Sequence, residues 1–380
     1  MRKNILSMVL ALSLLFPGAR ALGTEALPVD MGGAKAAILL ERGSGQIVAA
    51  QDAETKMEVG GLTRLPALLA VCEAADQGSL TMESEVLVSK EAAGISGPTA
   101  FVSAGESIAA AALMKAAVMI TAGDAIYALA EAAYGSADAC LAQMNRRLAQ
   151  LGIDVSYANI MDADVLLSAQ DLLLLGQALM DSGTFTSFSS IFYDAITHPD
   201  GRETELASSN RLLKNTVGCN GVATGSSGEA GYCGIYSVTR NETTWLCALI
   251  GAPDAAARTA LASDLIEYGF SAYESVLLAK AGQALIETVP VSGGKMESVS
   301  LGAQANAALL LPRGASYTAQ WELTETLTAP LCRDVAVGKV RYVDGEGAEL
   351  CTLELFPLAE VERSGIWDYA GKALLTWVHG

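Results

Sequence analysis

Few side chains in this chain stand where chemistry could be done. A serine nucleophile needs a base, and the two histidines, His198 and His379, are the only imidazoles that could serve. His379 lies in the C-terminal tail, and His198 opens His198-Pro199-Asp200-Gly201, a turn where a surface side chain is expected. Ser226 and Ser227 have no Lys or His beside them in sequence, and Glu229 reads as a solvated loop charge. One further arrangement holds a nucleophile and its base together: residues i and i+3 on the first turn of a helix share a face. Here that pair is Gly61 and Arg64, ahead of the apolar run Ala67 to Ala75. Glycine has no side-chain oxygen, and a guanidinium stays protonated and cannot accept a proton. Thr63 points off that face. The seven cysteines (72, 140, 219, 233, 247, 332, 351) include no C-x-x-C, which disfavours a zinc ribbon or a thioredoxin-type site. No metal and no cofactor is expected, and the default for each cysteine is a buried free thiol.

The helix carrying Gly61 and Arg64 runs from about Leu62 to Asp76, is apolar on most faces, and so belongs at the centre of a core. Before it, Ala36–Leu40 and Gln46–Ala49 read as strands joined at Gly43-Ser44-Gly45. Residues 79–105 read as loops and small strands around a site. Helices are expected from Glu106 to Ile120, from Asp124 as N-cap to Ala133, and over 137–151; a capping box, Ser168 with Asp171, opens another over 172–180. Three β-type runs follow (217–223, 231–239, 244–250), then a helix over 255–268. Strands at both ends with helices between imply a mixed α+β domain whose sheet joins both chain ends. Residues 275–358 alternate apolar and polar with turn signals and read as a small all-β sandwich.

The composition limits the partners. Of 380 residues, 51% are hydrophobic and the formal charge is −18, which excludes nucleic acid as a sensible partner. Residues 1–21 have the order of a secretory signal peptide: Arg2 and Lys3, an apolar run from Ile5 to Phe16, then Ala19-Arg20-Ala21. Its removal would take the charge to −21 and place the chain outside the cytoplasm. At the other end, residues 363–380 form an amphipathic pattern, with Ile366, Ala370, Ala373, Leu374 and Trp377 on one face and Trp367 beside them. Such a helix suits the membrane interface, at the outer face of the cytoplasmic membrane, or docking on the chain's own β domain.

Taken in order, these pieces resemble the low-molecular-weight penicillin-binding proteins, the serine D-Ala-D-Ala carboxypeptidases of the penicillin-binding protein 5 type. The resemblance rests on Gly61-Leu62-Thr63-Arg64, Gly105-Glu106, Ala122-Gly123-Asp124-Ala125, Met144-Asn145 with Leu151-Gly152, Ser168 to Asp171, Asn210 to Leu213, and Asn220 to Gly225 with Ala230 to Cys233. In the later region Ala281-Gly282-Gln283, Pro290-Val291 and Leu311-Pro312 carry it. It implies a serine β-lactamase/transpeptidase-like domain over 34–273, an antiparallel sheet with a helical cluster, followed by a β-sandwich over 281–362.

The resemblance also implies where catalysis would sit. The family's Ser-x-x-Lys, Ser-x-Asn and Lys-Thr-Gly motifs fall on this chain at 61–64, 121–123 and 223–225. The slots hold Gly61 for the nucleophile, Arg64 for the base, Thr121 and Gly123 in the second motif, and Ala223 for the second Lys. Thr224 and Gly225 remain as substrate-binding positions. The expectation is a non-catalytic homologue that binds peptidoglycan stem peptide or a cell-wall protein. Two alternatives are an active serine-type D-Ala-D-Ala carboxypeptidase with a relocated nucleophile, and a scaffold acting through its β domain.

Overall fold

The computed structural model describes residues 29–365. It divides into two compact units, one holding residues up to 278 together with 307–315, the other 279–306 with 316 onward. In the first unit β1 (Ala36–Glu41) and β2 (Gln46–Gln51) form a hairpin. A 3-10 turn, Gly60–Arg64, then runs into α1 (Leu65–Asp76), with Pro66 in the first turn, where a missing amide costs nothing. Next come β3 (Glu85–Leu87), α2 (Lys90–Ala93), β4 (Ser107–Ala109), α3 (Ala110–Ile120), α4 (Gly123–Tyr134), α5 (Ala137–Gln150), α6 (Ala169–Asp181) and α7 (Gly183–Ser189). The hairpin β5 (Tyr193–Thr197) and β6 (Glu203–Ala207) and the short α8 (Leu212–Asn215) lead to β7 (Cys219–Ser227), β8 (Gly231–Arg240), β9 (Thr243–Ala252), α9 (Ala255–Ala272) and β10 (Tyr273–Ala279).

The main sheet is antiparallel in the order β2-β1-β9-β8-β7, so the strands that come first and last in the chain within this sheet, β1 and β9, pair with each other. Its two faces are read directly from the period-2 alternation. Ile38 and Leu40 of β1, with Leu246, Ala248 and Ile250 of β9, pack under the helical cluster. Ala37 and Leu39, with Trp245, Cys247 and Leu249, face α9 on the other side. Both faces are covered, and that is why all six residues of β1 are buried. Helix α1 is buried at Leu65 through Cys72 and again at Ala74, so it is the central helix expected of its composition. On the opposite face α9 comes so close that a side chain at Gly269 would meet the Trp245 indole at 2.6 Å.

The second unit is all-β among its described residues, with β11 (Ala284–Ser292) paired to β12 (Ser298–Gly302). The chain then returns to the first unit, where β13 (Ala307–Pro312) pairs with β10. Afterwards β14 (Tyr317–Leu323), β15 (Leu327–Thr328), β16 (Gly338–Asp344) and β17 (Glu349–Pro357) complete a six-stranded sheet ordered β14-β16-β17-β12-β11-β15.

The α+β class holds, and several local expectations need correcting. Asp124 is not an N-cap: Ala122 precedes α4, and the buried Asp124 carboxylate accepts from the amides of Ala100 (2.8 Å), Val102 (3.3 Å) and Ala125 (2.8 Å). It ties the loop before α3 to the first turn of α4. Glu106 does not open α3, because 107–109 pair with β3 first. Hairpin β5–β6 and helix α7 were not anticipated, and residues 307–315 pack with the first unit instead of the β region. The Ser168–Asp171 capping box is present as expected. All seven cysteines are free, but only Cys72, Cys140, Cys233 and Cys247 are buried; against the expectation, Cys219 and Cys351 are half-buried and Cys332 is exposed. The signal-peptide reading of 1–21 and most of the tail helix, from 366 on with Trp367, Trp377 and His379, lie outside the described residues.

Candidate functional site

Four stretches of the first unit meet at one cleft of about 1040 Å³. These are the turn at Gly60, Gly61 and Arg64, the loop at Gly97 and Pro98, Thr121 at the end of α3, and Thr224 to Glu229 running out of β7. Ser208, Ser209, Arg211 and Arg258 close the other side, while Ile120, Met161 and Phe192 supply apolar lining.

The turn and β7 are seated against one another by backbone. Gly60 sits at φ +57°, and a Cβ there would lie 2.6 Å from the Ser226 carbonyl carbon. A Cβ on Gly225 would lie 2.9 Å from the Leu62 nitrogen. Only glycine permits both approaches. Gly61 is different: it lines the cleft, and a Cβ built on it meets nothing within 4 Å.

Arg64 turns its guanidinium onto three backbone carbonyls. Nη1 donates to Pro98 (3.0 Å) and Thr121 (3.1 Å), and Nη2 donates to Ser96 (2.6 Å). The arginine thereby ties the 96–98 loop to the junction between α3 and α4. Thr121 makes its carbonyl available by adopting a left-handed conformation as it ends α3, at φ 50°; its hydroxyl donates to the Ile120 carbonyl. Room for the guanidinium depends on two glycines. A Cβ at Gly97 would lie 2.8 Å from Nη2, and one at Gly123 would lie 2.8 Å from Nη1 and 2.7 Å from Ile95 Cγ2. Burial lowers the pKa of Arg64 from its ordinary value, with the Asp124 carboxylate opposing that shift.

The remaining positions separate. Thr224 Oγ1 hydrogen-bonds Ser209 Oγ at 2.7 Å inside the cleft, and Gly225 lines it. Ala223, paired with Ile235, is buried in the core and does not line the cleft; Gly123 lies behind Arg64. Ser227 Oγ accepts from the Ala230 amide, which fixes the loop after β7. On the rim, the Glu58 carboxyl is raised above its usual range, chiefly by its hydrogen bond to Glu229. His198 is neither exposed nor in the cleft. It is buried, with Nδ1 2.6 Å from Glu106 Oε1 and Nε2 2.9 Å from Thr204 Oγ1, because β5 and β6 fold back beside α3 and carry it inward.

Several cleft residues were not singled out from sequence, Ser209 and Arg258 among them. Ser209 has no distinguishing signal. Arg258 does, since it stands at i, i+3, i+4 and i+7 spacing with Leu261, Ala262 and Leu265 in the apolar stripe of α9. It is 3% exposed, donates to the carbonyls of Cys233 (3.3 Å) and Ser209 (3.0 Å), and faces the Tyr232 ring at 5.8 Å. Its Nε has no hydrogen-bond partner among the described residues.

Residues 24–254 match the family model for D-alanyl-D-alanine carboxypeptidase. The chain belongs to that carboxypeptidase family. Residues 273–363 match the C-terminal domain of penicillin-binding protein 5. Among characterised carboxypeptidases, the chain is 24% identical over 351 residues to D-alanyl-D-alanine carboxypeptidase DacF of Bacillus subtilis, covering 90% of each. It is 26% identical to DacC of Escherichia coli, over 93% of this chain and 90% of that one. In fold it is similar to penicillin-binding protein 5 of Haemophilus influenzae, with a TM-score of 0.78 and 23% identity over 89% of this chain and all of that one. Among the described residues no helix is long and apolar enough to cross a membrane.

Proposed function

We propose that this carboxypeptidase homologue is non-catalytic and binds the stem peptide of peptidoglycan in the cleft. The observation that carries the reading is the chemistry at the turn: the family's serine and lysine positions hold Gly61, with no nucleophile, and Arg64, whose guanidinium is committed to three carbonyls. Gly123 and Ala223 stand in the other two slots. A nucleophile and base that act as a unit contribute on the order of 10⁶ in rate, so their joint loss leaves no useful turnover. A relocated nucleophile activated by Lys or His finds no support in the cleft, since neither residue type is among those lining it, and the Ser209 hydroxyl bonds that of Thr224.

The cleft itself supports retained binding. Its volume suits a peptide, and Thr224, Ser209, Arg211 and Arg258 give it hydroxyl and guanidinium donors of the kind a peptide terminus needs. The chain is an exported protein on this reading, held at the outer face of the cytoplasmic membrane through residues 363–380. Incubation with a fluorescent penicillin tests the non-catalytic assignment, because a stable adduct requires a nucleophile. No labelled band is expected; a band surviving denaturation would overturn it.

A further inference from the structure

We infer that the cleft is selective for peptides already shortened by a carboxypeptidase, whose terminal carboxylate lies beside Gly61 and Arg64. This deepens the peptide-binding reading and rests on it. Three observations converge. First, Arg64, Arg211 and Arg258 all line the cleft beside the carboxylates of Glu58, Asp164 and Glu229, and among the described residues none of the three arginines makes an ion pair. Each guanidinium can therefore still take a charge-assisted pair with a carboxylate ligand. Second, a guanidinium has five N–H donors, and Arg64 uses three of them; one N–H on Nη2 and the Nε–H have no partner among the described residues. Third, the space beside Gly61 is open, with nothing within 4 Å of where a side chain would begin.

The third observation says which anion fits. When a serine peptidase releases its product, a water oxygen replaces the serine oxygen on the acyl carbon. The second oxygen of the product carboxylate therefore stands where the serine oxygen stood. A serine at 61 would contest that place, and a neutral lysine at 64 would offer the carboxylate little. Glycine vacates the place and arginine lends it charge and N–H donors. A peptide ending in D-Ala-D-Ala has a neutral amide at this point, and so gains nothing from Arg64.

The probes are two blocked peptides, Lys-D-Ala and Lys-D-Ala-D-Ala, titrated calorimetrically into the full chain, with the carboxamide of the shorter one as control. Expected is at least about tenfold tighter binding of Lys-D-Ala, consistent with one charge-assisted pair, and loss of that preference in the carboxamide. Arg64→Gln should abolish the preference. Because that change also loosens the 96–98 loop, Gly61→Thr is the second variant: it fills the vacated space without touching Arg64, and should weaken the shorter peptide selectively. Equal or tighter binding of the longer peptide overturns this inference and leaves peptide binding standing. Failure of both peptides to bind overturns both.

Discussion

The arginine and the glycine behind it form a testable lock. Replacing Gly123 by Ala puts a methyl group 2.7 Å from Ile95 Cγ2, 2.8 Å from Arg64 Nη1 and 2.9 Å from Cζ, so the guanidinium must leave its carbonyls or the helix must shift. Overpacking of that kind costs about 2–3 kcal/mol. Arg64→Ala removes three charge-assisted hydrogen bonds; since the side chain is half-exposed and water replaces part of what is lost, about 2–3 kcal/mol is expected here too. If each residue is needed because of the other, the double variant should not cost the sum. With the guanidinium gone, the alanine meets only Ile95, and the total should stay near 3 kcal/mol, leaving a coupling of about 2 kcal/mol. In a unit of this size each kcal/mol moves the melting temperature by about 2–4 °C, which calorimetry and urea denaturation both resolve. Additivity within about 0.5 kcal/mol, or a neutral Gly123→Ala, would refute the lock.

Two further outcomes follow from burial and hydrogen bonding. Ala223→Lys places an ammonium in an apolar core position and should cost about 3 kcal/mol by chemical denaturation, whereas Ala223→Val should cost less. Asp76 accepts from Ser182 Oγ (2.6 Å) and from the amide and hydroxyl of Thr184 (2.8 and 2.7 Å); burial alone would raise its pKa, but these bonds hold it below the ordinary value. A carboxyl depressed in the folded state stabilises above its unfolded pKa and loses that contribution as pH falls through the folded one. Asp76→Asn should therefore cost about 1 kcal/mol near pH 7 and progressively less below about pH 4, seen as converging melting curves.

Much of the fold is legible wherever a pattern repeats. The uninterrupted apolar runs Ala36–Leu40 and 245–250 fit strands of a sheet covered on both faces, and the apolar run of 65–72 fits α1 at the centre. Position 61 is legible as well, because a glycine cannot conceal a nucleophile. What escapes is whatever depends on distant partners. Asp124 looks like a cap because caps are local, but its oxygens serve amides 22 and 24 residues earlier. His198 looks exposed because it opens a turn, and is buried because Glu106 and Thr204 receive it. The engagement of Arg64 with three carbonyls carries no sequence signal beyond the glycines at 97 and 123, which acquire meaning only once the guanidinium is seen between them.

The contact between the turn and β7 bears on how any mutational survey of this protein would read. Gly60 and Gly225 have no side chain and carry no reactive atom, yet a methyl group on either drives two backbones apart and widens the cleft from within. Both would score as intolerant as residues of an active centre, while Gly61, which stands at the mouth of the same turn, would accept many side chains unless binding itself were measured. A survey by stability alone would thus outline the wall of the cleft and miss its floor. The two maps, one of folding and one of ligand capture, should disagree most sharply between neighbouring residues 60 and 61.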